Sequence, residues 1–403
     1  MPLDFDSKRI NGQVNLPASK SISNRALLIH ALANGEWSIE NLSDCDDTNT
    51  LFRALHSDSH CFDVGQAGTA MRFLTAFLAR TSGEWEITGS ERMKQRPIGI
   101  LVEALKHLGA KIEYLEKDGF PPLRISGSLL MGGTLEMPAS VSSQYISALM
   151  MIAPYMEKGL TLQLTGKIVS GSYIDMTLRI MRHFGAEVTR EGASVRVAPI
   201  PYKPVPFRVE ADWSAASYFY ELLAIADHGE IRLSGLQSDS VQGDARQIEV
   251  WERLGITTRF AGNEAILTKS RQPQISYLEY DFVEMPDLVQ SFAVACCLND
   301  IPFRFSGVET LRIKETDRIT ALTTELTKLG YLLETDEDNQ LLWEGAKNPP
   351  NTHPEIHTYH DHRMAMAFAP ATLKYPDLVI RNKEVVTKSF PGYWEELNRL
   401  TGC

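Results

Sequence analysis

The sequence reads as a mixed α and β protein of two domains, on three observations. An amphipathic helical run that ends in an apolar residue plus glycine and feeds a β-rich segment occurs four times, at 101–112, 176–188, 248–260 and 321–333. Its glycines, Gly109, Gly185, Gly255 and Gly330, stand 76, 70 and 75 residues apart, each where a helix C-cap wants a left-handed residue. A near-constant period predicts one helix-to-strand unit repeated, with coincidence as the plainer alternative. The length of 403 residues exceeds the roughly 100–200 of one domain. Finally, segment 198–206 (APIPYKPVP) packs four prolines into nine residues, a linker-like composition that marks a boundary between domains.

The remaining elements follow in order. Helices are predicted at 24–33, 70–79, 214–226, 287–297 and 362–372, where apolar residues recur at helical spacing behind a polar or capping residue such as Asp212 or Asp361. Strands are predicted at 159–164 and 230–233, where Leu160, Leu162 and Leu164, and then Ile231 and Leu233, alternate with polar neighbours.

Composition narrows the function. A hydrophobic content of 43% and a charged content of 23% are those of an ordinary globular chain. The first ten residues carry Asp4, Asp6, Lys8 and Arg9 instead of a basic and then apolar leader, and no apolar run reaches about 18 residues. A chain that is neither secreted through a signal peptide nor membrane-spanning is expected. Cys45, Cys61, Cys296, Cys297 and Cys403 are odd in number and lack CxxC spacing, so reduced thiols and a cytoplasmic location are expected. A net charge of -11 argues against a nucleic-acid partner. An anionic ligand must therefore meet a locally basic site against the global field.

No P-loop, GxGxxG, GxSxG or HExxH occurs. What remains are polar clusters at helix starts. Ser19-Lys20-Ser21-Ile22-Ser23-Asn24-Arg25 leads into ALLIHALA, and hydroxyls, Lys20 and Arg25 at a helix N-terminus suit an oxyanion as readily as an ordinary cap. Gly68 in GQAGTAMR would let a ligand approach the backbone. Arg92, Lys94 and Arg96 precede Pro97, a candidate first helical residue, while Ser142-Ser143-Gln144 and Ser170-Gly171-Ser172-Tyr173 open two further helices. In the second half stand Asp287 after Met285-Pro286, the mixed cluster Lys314-Glu315-Thr316-Asp317-Arg318, His360-Asp361-His362-Arg363, and Lys388. Helix capping and solvated ion pairs are the competing readings. His357, His360 and His362 lack a recognised metal-ligand spacing, and no metal is expected.

In this order, LPASKSISNRALL, AGTAMR, RMKQRPIGILVEAL, SSQ, SYIDMTL, MPD, RIKETDR, DHRMAM and TKSFPGYW closely resemble the 5-enolpyruvylshikimate-3-phosphate synthases over nearly the whole chain. The resemblance implies an α/β (α+β) protein: a two-domain inside-out α/β barrel of repeated βαβαββ units, hinged between a discontinuous domain (1–18 with 211–403) and a second (19–210). It implies transfer of the enolpyruvyl group of phosphoenolpyruvate to the 5-hydroxyl of shikimate 3-phosphate by addition and elimination, with no cofactor, in a monomer. Ser21, Arg25, Ser142, Ser143, Ser170 and Tyr173 would hold shikimate 3-phosphate, joined by Lys314, with Gln144 near both ligands. Gly68, Arg96, Arg318, Arg363 and Lys388 would hold phosphoenolpyruvate. Lys20 would bridge the ligands and assist proton transfer, Asp287 would accept the 5-hydroxyl proton, and Glu315 would protonate the methylene carbon and later take that proton back.

The chain departs from the family at Gln66, Phe73, Gly171-Ser172, Thr310 and His360, and the stretch between Asp47 and Gly65 is short enough to lack part of one αββ unit. A related UDP-N-acetylglucosamine enolpyruvyl transferase is disfavoured because Lys20 is followed by Ser-Ile-Ser-Asn-Arg. A non-catalytic anion-binding module would not need Lys20, Asp287 and Glu315 together.

Overall fold

The computed structural model describes residues 9–34, 37–140, 142–269, 273–336 and 340–402. The expectations placed on residues 1–8 and on Cys403 lie outside them. Contacts divide the chain into two units, Met1–Ala18 with Glu210–Cys403, and Ser19–Val209.

Each unit holds two four-stranded sheets of one topology. In the unit Ser19–Val209, Cys61–Asp63 pairs parallel with Gly83–Thr88, which pairs antiparallel with Leu123–Gly127, itself antiparallel to Lys111–Tyr114. The second sheet repeats this with Gly133–Pro138, Leu160–Thr165, Ser194–Val197 and Val188–Glu191. The parallel pairs are bridged by crossover helices, Gly68–Arg80 and Ser143–Ile152, as parallel neighbours require. A second helix then leads into an antiparallel hairpin, completing βαβαββ. These are the units in which the glycine period originates. Gly109, Gly185, Gly255 and Gly330 all have positive φ (107, 79, 91 and 94°). Three of them close Schellman motifs, with Ala110 N donating to Leu105 O, Ala186 N to Met181 O and Tyr331 N to Leu326 O.

The other unit carries the same pattern twice. Leu278–Asp281, Phe303–Ser306, Leu341–Trp343 and Glu334–Thr335 form one sheet around the crossover helix Val289–Leu298. In the other, Arg9–Asn15 pairs parallel with His228–Ser234 before Glu264–Lys269 and Ile256–Ala261. The crossover between that parallel pair contains the helix Trp213–Ile225 and the whole segment Ser19–Val209, which is why this unit is discontinuous in sequence. Its core centres on aromatic rings, with Trp251 stacked on Phe292 at 4.1 Å and on Tyr220 at 5.8 Å, a packing that adds geometry to area burial. A two-stranded parallel pair completes each unit, Ile39–Glu40 with Phe207–Arg208 and Glu355–Ile356 with Val379–Ile380. Helix Asp46–Leu55 runs to strand Cys61–Asp63 with no strand between them, as the short 47–65 stretch implies.

Three local expectations change. Pro97 is not a first helical residue: Arg92 and Lys94 lie in a one-turn helix Glu91–Lys94 capped by Ser90, and the next helix begins at Gly99. Asp287 sits in a 3₁₀ turn, Pro286–Leu288, ahead of the helix, because Pro286 offers no N–H and fixes φ at the turn. The linker-like proline-rich segment, which ends close to the division between the units at Val209, is packed down along its length. The Tyr202 hydroxyl donates to Met151 O at 2.8 Å and Lys203 N to Phe184 O at 2.8 Å.

Every repeat therefore delivers helix N-termini just after the strand that precedes them. Gly68, Ser143, Gly171 and Arg318 are each the first residue of a helix, and Asp287 lies in the turn before another.

Candidate active site

In the unit Ser19–Val209 three helices converge on Arg25. Ser19 caps the first, Lys20–Ala33, and one turn in, Arg25 is buried with its guanidinium donating to three acceptors. Nε reaches Thr177 Oγ1 at 2.7 Å, Nη2 reaches Ser147 Oγ at 3.0 Å, and Nη1 reaches Ser21 O at 2.9 Å. Thr177 and Ser147 are themselves 2.9 Å apart. Phe73 and Tyr173 lie 5.6 and 5.9 Å from the guanidinium, a cation–π arrangement. Burial lowers the Arg25 pKa to about 10, so it stays charged. Two of the five guanidinium N–H groups remain beyond these three bonds. Lys20 pairs with Asp47 at 3.4 Å. Ser142 does cap its helix, accepting from Gln144 N at 3.3 Å, whereas Ser170 makes no cap bond and adopts a left-handed φ of 56°.

A second group in that unit gathers about Gly68. The Gln144 amide donates to Thr69 Oγ1 at 3.2 Å, and Arg72 donates to Gly68 O and Pro97 O at 3.2 and 3.1 Å. The Arg96 guanidinium presses so closely on Gly68 that a Cβ there would sit 2.6 Å from its Nη1. Gly68→Ala therefore drives Arg96 aside. The expected result is a KM for the ligand of Arg96 raised roughly tenfold, one displaced charge-assisted contact, with thermal stability nearly unchanged; steady-state kinetics and a melting curve check both.

The unit Met1–Ala18 with Glu210–Cys403 carries the densest charge. Asp287 accepts from Arg318 Nη1 at 3.0 Å and Arg363 Nη2 at 2.9 Å, with Lys314 Nζ at 3.7 Å. Glu315 bridges Arg318 Nη2 and Lys388 Nζ, both at 3.0 Å. Beneath them Asp361, fully buried, accepts from Arg318 Nε at 2.7 Å and Nη2 at 3.3 Å, and caps helix His362–Phe368 by accepting from Arg363 N at 2.9 Å. Burial alone would lower the Arg318 pKa, but Asp361, Glu315 and Asp287 outweigh it and raise the pKa. Lys314 is the reverse case, lowered by burial against the pull of Asp287. Four cations thus share three carboxylates. His357, His360 and His362 join no metal-ligating cluster among the described residues.

Sequence reasoning missed Asp361, Ser147, Thr177 and Asp244. Asp361 was visible only as a helix start, and Ser147 and Thr177 sit inside helices where a hydroxyl carries no local signal. Asp244 accepts a hydrogen bond from the Ser214 hydroxyl. Its pKa is pushed up to about 7, by burial first and the nearby Asp287 charge second. Since the folded state holds this proton more tightly than the unfolded chain, the stability it contributes is complete below the ordinary carboxyl pKa near 3.9 and is lost as pH rises through about 7. Asp244→Asn should remove that slope, so urea melts at pH 5 and pH 8 should converge relative to the parent protein; an unchanged slope would exclude Asp244 as its source.

Among the described residues no helix is long and apolar enough to cross a membrane. Comparison with known proteins gives one consistent result. The sequence model of the family described as EPSP synthase (3-phosphoshikimate 1-carboxyvinyltransferase) matches residues 6–59 and 53–397. A 3-phosphoshikimate 1-carboxyvinyltransferase of Bacteroides fragilis is 52% identical over 392 residues, covering 97% of this chain and 95% of its own. Another from Aliivibrio fischeri is 38% identical over 98% of this chain and 97% of its own. Among solved structures, EPSP synthase from Acinetobacter baumannii superposes with a TM-score of 0.75 at 22% identity over 98% and 96% of the two chains. The enolpyruvyl transferase NikO from Streptomyces tendae does so with 0.72 at 17% over 98% and 95%.

Proposed function

The chain belongs to the EPSP synthase family, and from that premise we propose how its two charged clusters divide the work of the reaction. It is a transferase of the shikimate pathway, which leads to the aromatic amino acids. It moves the enolpyruvyl group of phosphoenolpyruvate to the 5-hydroxyl of shikimate 3-phosphate and releases phosphate.

Shikimate 3-phosphate is assigned to Lys20, Ser21, Arg25, Ser142, Ser143, Gln144, Ser170, Tyr173, Asp287 and Lys314. What supports this is the buried, charged Arg25 guanidinium, held in a fixed orientation by Thr177 and Ser147, since a preorganised guanidinium fork suits a phosphate. Phosphoenolpyruvate is assigned to Lys20, Gly68, Arg96, Gln144, Arg318, Arg363 and Lys388. Planar guanidinium forks match carboxylate and phosphate oxygens.

The observation that carries the reading is that the two proposed acid–base groups are the counter-ions of the proposed phosphoenolpyruvate cations: Glu315 on Arg318 and Lys388, Asp287 on Arg318 and Arg363. An incoming anion competes for the same cations. Once it takes them over, the carboxylates lose their counter-charges, the condition under which a carboxylate accepts a proton. Asp287 then takes the 5-hydroxyl proton as the oxygen attacks the enol carbon. Glu315 protonates the methylene carbon, giving a tetrahedral adduct. Glu315 retakes a methyl proton as phosphate leaves and the double bond re-forms, with Lys20 assisting proton transfer. Glu315 takes up a proton from solvent as the incoming anion displaces its counter-ions and holds a proton again at the end of the cycle, while the proton on Asp287 passes to the departing phosphate, so protons and phosphate balance without a cofactor.

The proposal includes an inside-out α/β barrel arrangement of the βαβαββ units, a monomer in the cytoplasm and no nucleic-acid partner. The free thiols at Cys45, Cys61, Cys296 and Cys297 and the net charge of -11 are consistent with it. Mixing the protein with both substrates, without added metal, should yield phosphate and enolpyruvyl product in equal amounts. Binding of both ligands without turnover would overturn the reading in favour of an anion-binding module.

A further inference from the structure

We infer that Glu325 and Tyr359 form a latch that positions the two arginines assigned above to phosphoenolpyruvate; the inference rests on that assignment of Arg318 and Arg363. Neither latch residue touches the charged cluster in any hydrogen bond described above, so both are positioning residues and not catalytic ones.

Helix Arg318–Lys328 begins with Arg318 and carries Glu325 two turns later. The Glu325 carboxylate is fully buried and accepts from the Tyr359 hydroxyl at 2.6 Å, from His357 N at 3.0 Å and from Lys328 Nζ at 2.6 Å. At the head of the same helix, Asp361 grips Arg318 through two oxygens at 2.7 and 3.3 Å. Segment 357–361 is therefore pinned to a single helix at two points, about 10 Å apart at 1.5 Å per residue.

Between the pins, Tyr359 and His360 both adopt left-handed backbone, with φ of 54 and 56°. Two consecutive non-glycine residues in that region persist only when their surroundings over-determine them. The turn is closed by Asp361 N donating to Thr358 O at 2.8 Å. It ends at Asp361, the cap of the helix that carries Arg363, whose guanidinium meets Asp287 at 2.9 Å. The end of the turn thus sets where both arginines point. His360, where the family commonly has Asn, is one of the few non-glycine types that this conformation tolerates. A plain Glu325–Lys328 pair on a solvated face would not bury its carboxylate and spend it on a loop N–H and a hydroxyl.

Tyr359→Phe removes one of the two loop bonds to Glu325, leaving that of His357 N, with little change in packing, because Tyr359 is 38% exposed. Steady-state kinetics should show a KM for phosphoenolpyruvate raised roughly five- to tenfold, within the worth of one hydrogen bond to a charged group. The KM for shikimate 3-phosphate and kcat should stay within about twofold, and the melting temperature should barely move. His360→Asn should behave as the parent protein, whereas His360→Val, whose β-branched side chain resists positive φ, should reproduce the Tyr359→Phe pattern. An unchanged phosphoenolpyruvate KM in Tyr359→Phe overturns the latch, and so does a loss spread over kcat, both KM values and melting temperature, which marks a merely structural contact. If the parent protein itself shows no phosphoenolpyruvate-dependent turnover, the assignment of the arginines fails and the latch with it.

Discussion

Glu315→Gln lowers kcat by about 10²–10⁴-fold, the usual contribution of a positioned acid–base group, while calorimetric binding of shikimate 3-phosphate stays within a few-fold of the parent protein. The substitution keeps size but only one acceptor oxygen; Arg318 Nη2 pairs with Glu315 Oε2 and Lys388 Nζ with Oε1, both at 3.0 Å, so one of these two cations keeps its partner and the other faces an amide N–H. What disappears is the capacity to carry a proton to carbon and take it back. Shikimate 3-phosphate is assigned chiefly to Arg25 and its neighbours in the unit Ser19–Val209, where nothing has changed. A variant with near-normal turnover would remove Glu315 from the chemistry. A variant with normal turnover per bound complex but a raised phosphoenolpyruvate KM would make it a binding group only.

Much of the fold was legible because one backbone requirement recurs. A helix that must hand over to an antiparallel strand needs a left-handed residue at its end, and glycine supplies it most cheaply. Gly109, Gly185, Gly255 and Gly330, all at positive φ, make that handover visible as a sequence period. Strand partners were not legible, since the parallel neighbour of Arg9–Asn15 is His228–Ser234, beyond the reach of any local pattern. The turn at Asp287 was misread as helix because Pro286 suits both.

The site separates in the same way. Cations and hydroxyls at helix starts were legible as anion-binding chemistry, since a helix N-terminus adds its own partial charge to theirs. The residues that hold those cations were not. Arg25 is oriented by Thr177 and Ser147, 152 and 122 residues away in sequence, and a mid-helix hydroxyl reads locally as a neutral residue. Asp361 shows the same limit from the other side, because an Asp before a helix is fully accounted for by capping. Its second task, the buried grip on Arg318 from 43 residues away, leaves no trace in local spacing.

Asp361→Ala is expected to cost about 3–5 kcal/mol of stability, the range for breaking a buried ion pair from one side, plus about 1 kcal/mol for the lost cap. Arg318 is almost wholly buried, so the charge cannot turn to water. With Asp361 gone, Arg318 keeps Asp287 and Glu315 but loses the acceptor for Nε. Those two carboxylates then face the full guanidinium charge alone, which places the groups assigned to catalysis wrongly even in molecules that remain folded. Asp361→Asn separates the two losses. Asn caps helices as well as Asp does and keeps an oxygen for one arginine N–H, but it carries no charge. Denaturant melts should therefore rank the parent protein above Asp361→Asn and Asp361→Ala lowest. Equal stability in all three would mean that Asp287 and Glu315 alone suffice to hold Arg318. If only the cap mattered, Asp361→Asn would match the parent protein, so the gap between Asn and Asp measures the buried charge pair directly.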